Sequence, residues 1–343
     1  MELNLSTISA HLPHLLEPAL GAQVTIGGLA RLKGGYSREM WAFTAHTGAG
    51  AGVGAGAGAG RAWILCADSA EGVVGPESLD RISEAALLDH FHKAGLPVPS
   101  VLAAAAYRSN PFGAAWFVME HLSGQAAVGP LLRDPWYVGH RAELGGEKAE
   151  ILAAIHATPV PAGVFEVVPG AADVSAIETR RWAAALARTP GARTEVMDRA
   201  LDWLGRSRNQ PMPPADVCVV HGDYRTGNLL YDRTGIRGVL DWEMAHIGDP
   251  LEDVAWAQLV CWRLGTGLVG GLLSLAEWSA AYGDAAGHQV DAGALRFWEV
   301  LGSVKMSLLA WRAGQRTPAG REHDLLLRLF SDLQTELGEN LLD

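Results

Sequence analysis

The chain alternates between apolar runs of strand length and longer stretches with helical spacing, and the two kinds are unevenly distributed. LARLKGGYSREMWAFTAH holds an apolar run, a Gly34-Gly35 break and a second run from Met40 to Ala45. RAWILCAD and AAWFVMEHLSG are short and apolar, with turn residues at their flanks, and read as strands. Between them, PESLDRISEAALLDHFHKAGLPVPS places Ile82, Ala86, Leu87 and Phe91 at helical spacing. Ser78 is the expected N-cap, and Gly95 with Pro97 the stop. From Gly124 to about Pro213 the pattern is mainly helical, clearest in AELGGEKAEILAAIHATP and SAIETRRWAAALART. VCVVHGDYRTGNLLYDRTGIRGVLDWE breaks it: strand, loop, strand, a turn over Asp232 to Gly235, strand. Helices rich in Trp and Leu follow Pro250.

This pattern predicts an α+β protein with two lobes. A small β-rich lobe with one helix occupies 1–121, and a larger, mainly helical lobe carrying a β-hairpin occupies 122–343. The length of 343 residues suffices for two sizeable cores. Hydrophobic content of 49% with 19% charged residues is that of a water-soluble globular protein. A formal net charge of −11 argues against a general nucleic-acid binder. The segment MELNLSTISAHLPHLLEP has no basic region ahead of an apolar core, and no stretch reads as a membrane span. Three cysteines, Cys66, Cys218 and Cys261, form no CxxC pair, which disfavours disulfides and structural zinc. A cytoplasmic protein is the expectation, with its oligomeric state left open.

The tract TGAGAGVGAGAGAGR puts glycine at every even position from Gly48 to Gly60. The dinucleotide fingerprint GxGxxG needs glycines at both even and odd positions, and the P-loop needs a GK[ST] ending. The tract meets neither condition and reads as a long hairpin tip between two strands.

Chemistry concentrates in HGDYRTGNLLYDRTGIRGVLDWE. Here HxDxxxxN is followed thirteen residues later by an aspartate after a hairpin: His221, Asp223, Asn228 and Asp241. Each alone fits a loop polar, but the set has what phosphoryl transfer requires. That chemistry depends on positioning and charge neutralisation. A carboxylate must accept the proton of the attacking hydroxyl, and Asp223 is the candidate. Hard oxygens must hold Mg²⁺ against phosphates, and Asn228 offers an amide oxygen and Asp241 a carboxylate. His221 is a candidate catalytic group, with bracing of the loop as its other reading. No HxxxH or Cys/His cluster supports a metal hydrolase.

VVHGDYRTGNLLYD and GVLDWEMAHIGDPLEDVAW are similar to the two signatures of the aminoglycoside phosphotransferase and choline kinase family, which has a protein-kinase-like fold. The resemblance runs from about Arg31 to the last helices. It implies ATP as donor, with GTP left open, and Mg²⁺ as cofactor. Asp223 would be the base, and Asn228 with Asp241 the metal ligands. Asp253 resembles the family's buried aspartate that supports the catalytic loop, and Asp249 belongs with Pro250 to a turn. KGGYSREMW resembles the loop over the phosphates, with Gly34 and Gly35 allowing close backbone approach and Ser37 a donor. Glu84 matches the helix glutamate that holds a strand Lys or Arg. AAWFVMEHLSG resembles the hinge, where the backbone of Glu120 and Leu122 would meet the adenine.

The chain departs from the family at one point. The strand position expected to carry the basic residue falls at Cys66 or Ala67, and neither can neutralise phosphate. Lys33, Arg38 and Arg61 are the substitutes within reach. A nucleotide-binding module without transfer activity is the alternative this departure leaves open.

From Cys261 to Arg321 six basic residues (Arg263, Arg296, Lys305, Arg312, Arg316, Arg321) face four acidic ones (Glu277, Asp284, Asp291, Glu299). That balance disfavours a polycationic acceptor. RFWEVLGSVKMSLLAW is similar to the kinase domains that accompany acyl-CoA dehydrogenases, which implies a hydroxyacyl-CoA-like acceptor. Trp262, Trp278, Trp298 and Trp311 read as helix core or as pocket wall.

Overall fold

The computed structural model describes residues 3–32, 38–48, 60–68, 78–107, 110–165, 170, 174–207 and 217–342. Gly34, Gly35 and Ser37 of the expected phosphate loop lie outside the described residues, as does Lys33 and most of the glycine–alanine tract. The chain divides into two compact units. The first comprises Met1–Gln125, Pro161–Phe165 and Arg237–Ala245, and the second Ala126–Val160, Glu166–Ile236 and His246–Asp343.

Among the described residues, the first unit is built on five strands: β1 (Val24–Arg31), β2 (Arg38–Thr47), β3 (Arg61–Asp68), β4 (Val101–Ala105) and β5 (Trp116–Glu120). Their order is β1-β2-β3-β5-β4, and every neighbouring pair is antiparallel. In β2 the buried positions alternate, Glu39, Trp41, Phe43 and Ala45, as the two-residue pleat requires. With Trp63, Leu65 and Ala67 of β3, the apolar residues of this face join one core cluster. Helix α1 (Leu5–Leu20) covers it with Ile8, Leu12 and Leu16, spaced four apart on one stripe. The helix is capped by the Asn4 side chain, which accepts from the Thr7 N–H, and ends at Gly21 with φ +64°.

Two features of this unit differ from the sequence pattern. Helix α1 was not evident there, because Pro13 and Pro18 inside it read as breakers. The helix α2 (Arg81–Lys93) is capped by Asp80 rather than Ser78; the Asp80 carboxylate accepts from the N–H groups of Ile82 (2.9 Å) and Ser83 (3.1 Å). A carboxylate at the start of a helix also complements its positive end.

The second unit carries α3 (Val128–Arg133), α4 (Pro135–Gly139), α5 (Arg141–Ala157), α6 (Val174–Ala187) and α7 (Glu195–Ser207) before its short strands. Strand β6 (Cys218–Val220) pairs antiparallel with β9 (His246–Gly248). Between them β7 (Leu229–Asp232) and β8 (Gly235–Val239) form a hairpin. The Asp232 carboxylate closes its turn by accepting from the Thr234 N–H at 2.7 Å. Then come α8 (Leu251–Ala257), α9 (Leu275–Ala286), α10 (Ala292–Arg316) and α11 (Arg321–Glu336). Helix α10 is the spine of the unit, with buried residues on every face of its middle turns from Val300 to Leu308. Trp278 and Trp298 are part of this interior, each about 1% exposed, whereas Trp262 and Trp311 are half-buried. Among the described residues no helix is long and apolar enough to cross a membrane. All three cysteines are free thiols.

Candidate active site

Strand β6 is three buried residues long and delivers the chain into the loop His221–Asn228. Helix α8 receives it. The Asp253 carboxylate, fully buried, accepts the N–H of His221 (2.7 Å) and of Gly222 (2.9 Å). Burial opposes its charge, but the His156 imidazole (3.1 Å) and those N–H donors outweigh it and hold its pKa below the usual carboxylate value. Asp249 accepts the Leu251 N–H at 2.8 Å, closing the turn at the start of α8.

Asp223 presents its carboxylate at the end of this support, 15% exposed. Its Oδ1 accepts from the Trp256 indole N–H at 2.8 Å. Its Oδ2 accepts from the Asn228 amide at 2.7 Å and from Arg225 Nε at 3.2 Å. Asn228 Nδ2 also donates to the Asp223 carbonyl at 3.0 Å, so the amide oxygen is the donor atom left to a metal. Arg225 in turn stacks on Trp262, 4.8 Å from the ring centroid. His221 is fully buried, and its Nδ1 accepts the Asp223 N–H at 3.2 Å. It reaches Asp223 through the backbone and offers no surface to a substrate.

The first unit holds a second polar centre. On β2, Arg38 lies on the face opposite Trp41 and Phe43, and its cross-strand partner is Asp68. Cys66, opposite Met40, is its diagonal neighbour on the same face. Arg38 is 7% exposed and contacts Glu84 (3.0 Å), Asp241 (2.8 Å) and Glu243 (3.0 Å). Burial works against its charge, but Glu84 and then Asp241 outweigh burial and hold its pKa well above the ordinary arginine value. Arg81, also buried, joins Asp68 (2.8 Å), Glu84 and Glu243 (3.5 Å). Asp241 itself adopts a left-handed backbone, φ +71°, uncommon outside glycine and Asn/Asp.

Cys66 is not a ligand-facing residue. It has no exposed surface, and burial pushes its thiol up to about 11, so it is neither a cation nor a nucleophile. The group paired with Glu84 at this place is Arg38, one strand away. Glu120 has its carboxylate engaged by Arg61 (2.9 Å) and Ser100 (2.9 Å), and Leu122 is half-buried at the strand's exit. Lys305, counted among the basic residues of the acceptor region, is 2% exposed and lines no open surface. Trp256 carried a signal in the sequence: it follows Asp253 by three residues, and in a helix both fall on one face.

The donor sets suit a divalent cation. Two guanidiniums, Arg38 and Arg81, meet four carboxylates, Asp68, Glu84, Asp241 and Glu243, among the described residues. Asp241 is the most exposed of the four carboxylates, at 39%. Carboxylate and amide oxygens are the ligands Mg²⁺ prefers.

A strand-delivered aspartate with an asparagine on the following turn suits phosphoryl transfer. The sequence profile of the phosphotransferase enzyme family matches residues 31–298, well over half the chain, and the protein belongs to that family. The chain is 26% identical over 172 residues to acyl-CoA dehydrogenase family member 10 of Mus musculus and 28% over 173 residues to member 11 of Rattus norvegicus. These matches take in 48% of this chain but 15% and 21% of the relatives, so the chain corresponds to a part of them. It is 30% identical over 197 residues to the aminoglycoside 3'-phosphotransferase of Streptomyces fradiae, covering 52% of this chain and 64% of that protein. Among solved structures, aminoglycoside phosphotransferase APH(4)-Ia in complex with AMP-PNP and hygromycin B superposes with a TM-score of 0.62 at 17% identity, over 96% and 99% of the two chains. An aminoglycoside phosphotransferase-like protein of Ralstonia eutropha gives 0.72 at 18%, over 99% and 98%. These likenesses establish the fold.

Proposed function

We propose that the protein transfers the γ-phosphoryl group of ATP to a hydroxyl of a small molecule, with Asp223 as the base. The observation that carries this reading is the Asp223 carboxylate, fixed by Trp256, Asn228 and Arg225 and still partly open to solvent. Three donors set its orientation before any substrate arrives, which is the preorganisation that proton acceptance in a positioned complex needs. His221 and Asp253 act through the backbone as positioning residues. Arg38 takes the role of the family's strand cation, held by Glu84. Asn228 and Asp241 supply oxygen ligands for Mg²⁺, which when bound neutralises charge on the phosphates. The backbone at Glu120 and Leu122 receives the adenine, and the loop containing Gly34, Gly35 and Ser37 covers the phosphates.

The acceptor is a neutral or anionic hydroxyl compound. The cation beside the base, Arg225 stacked on Trp262, disfavours a polycationic antibiotic. The relatives named acyl-CoA dehydrogenase family members point to acyl-CoA chemistry, and a hydroxyacyl-CoA fits both observations.

The test is ATP turnover with Mg²⁺ against panels of hydroxyacyl-CoAs, amino alcohols and aminoglycosides. Asp223→Asn should lower turnover at least about 10²-fold with nucleotide affinity unchanged. Equal turnover in wild type and variant would remove Asp223 from the mechanism. Stabilisation by ATP without any turnover would instead favour the nucleotide-binding module.

A further inference from the structure

The residue before the base, Gly222, is gripped from two helices. The Gly222 N–H donates to Asp253 of α8, and its carbonyl accepts from Lys305 Nζ at 3.0 Å. Gly222 has φ +79°, a conformation that a side chain would strain. Lys305 lies at mid-length of α10. Its ammonium is also 3.3 Å from Glu252 Oε1, and it sits over two rings, Trp256 at 4.6 Å and Trp182 at 5.3 Å from the centroids. Trp256 is the residue whose indole donates to Asp223.

An ammonium this deep is costly unless paired. Its pairing is built for it. Glu252 Oε2 is 3.0 Å from His246 Nε2, which is 3.8 Å from Glu178 Oε2. Glu178, His246 and Glu252 bring their ligand atoms within 4.8 Å of one another, spacing that could hold a metal. Lys305, a protonated His246 and Arg181, 3.1 Å from Glu178 Oε1, already pair both carboxylates, so the cluster is satisfied as an ion-pair network. A methionine would fill the same volume without any of these charges. Beyond its pairing with Glu252, the ammonium adds the hold on the Gly222 carbonyl and its place over the faces of Trp256 and Trp182.

We propose that Lys305 is a positioning residue for Asp223, fixing both the peptide before the base and the indole that hydrogen-bonds it. The inference rests on the reading of Asp223 as the base. It predicts that loss of the ammonium loosens the loop and slows the chemical step without weakening nucleotide binding, because none of the groups Lys305 contacts, Gly222, Glu252, Trp256 and Trp182, is assigned to the nucleotide. A displacement of the base by about 1 Å can cost roughly 10²-fold.

The experiment uses Lys305→Met, and Lys305→Met combined with Glu252→Gln, which keeps the buried charge balanced and the fold safer. Two readouts are taken on the full chain: steady-state ATP turnover with Mg²⁺, and hydrogen exchange of the 221–228 amides. The expected result is a kcat at least tenfold lower with KM for ATP within about twofold. Exchange at 221–228 should be at least tenfold faster, with α1 and the β2–β3 pair unchanged. Exchange at 221–228 equal to wild type in the double variant would overturn the inference whatever the turnover. So would faster exchange with undiminished kcat in an active enzyme. A wild-type protein that turns over no ATP counts against the Asp223 reading, and the exchange measurement still decides whether Lys305 orders the loop.

Discussion

Replacing Arg38 by methionine tests where the phosphate-side cation resides. Arg38 contacts three carboxylates at 2.8–3.0 Å, and Glu84 among them is 2% exposed. Removing one partner of a buried ion pair costs about 3–5 kcal/mol, because the other is left uncompensated. Arg81 stays beside Glu84, which places Arg38→Met at the low end, about 3 kcal/mol. At roughly 2–4 °C per kcal/mol, the thermal midpoint should fall by roughly 6–12 °C. Turnover should fall further than stability explains, by at least about 10², as when a fixed electrostatic donor is removed from a transition state. A second change separates role from structure. Cys66 lies diagonal to Arg38 on the same face of the sheet, and its thiol feels Arg38, Glu84 and Arg81. Lysine introduced there, as Arg38→Met with Cys66→Lys, returns a cation to Glu84 from the next strand and should recover at least tenfold in kcat/KM for ATP. Initial-rate kinetics and differential scanning calorimetry read both effects. Wild-type kcat/KM in Arg38→Met, once folded, would refute the assignment and move the role to another cation.

Three further outcomes follow from the geometry. Asn228→Ala should raise the Mg²⁺ concentration for half-maximal turnover at least about tenfold and lower kcat, since the residue both orients Asp223 and offers an oxygen; an unchanged Mg²⁺ titration would exclude it as a ligand. Gly270→Ala, at φ +59° with its new Cβ 1.8 Å from Thr226 Oγ1, should cost about 2–3 kcal/mol, read by urea unfolding. The third concerns pH. Burial works against the charge of His246, but Glu252 and Glu178 outweigh it and raise the pKa from 6.5 to about 9. That stabilisation is complete below 6.5 and is lost as pH rises through 9. Burial lowers Lys148 from 10.5 to about 7, so its cost is complete below 7 and is relieved as pH rises toward 10.5. Between pH 7 and 9 the two slopes, each about 1.4 kcal/mol per pH unit, oppose each other. His246→Gln should therefore become more stable, and Lys148→Met less stable, across that window, while wild type stays nearly level; parallel pH profiles for all three would refute it.

The arrangement of the loop His221–Asn228 was legible in the sequence because its geometry is local. His221, Asp223 and Asn228 lie within one strand-to-turn connection, so spacing alone carries their relation. Asp253 and Trp256 could be added from helical periodicity. Lys305 could not: it stands 82 positions beyond Asp223 as the one lysine of its helix, with nothing in the sequence to mark it as buried, and only the packing of α10 brings it to the Gly222 carbonyl. Helix α1 was obscured for a different reason, since its two prolines outweigh a stripe of only three buried apolar residues.

Arg38 shows a third way for a site to escape linear reading. A pleated sheet places residue i and the diagonal positions of its neighbour on one face, close enough for a long side chain to span. The strand cation can then move from β3 to β2 while its guanidinium stays at the helix glutamate. Position 66, taken by itself, reports a lost phosphate-binding group. The pairing of Met40 with Cys66, and so of Arg38 with Asp68, puts another cation on the same face, one strand away. No residue in the sequence sets that register: the connection is the alternating glycine–alanine tract, which lacks the tight-turn chemistry that fixes hairpin pairing. The alternation of buried residues in β2 sets it instead, because a slip of one residue would turn Trp41 and Phe43 away from the α1 core and Arg38 into it. The hydrophobic core of the first unit thus decides which face its cation occupies, and Arg38→Met with Cys66→Lys asks whether that face, rather than the strand, is what the chemistry needs.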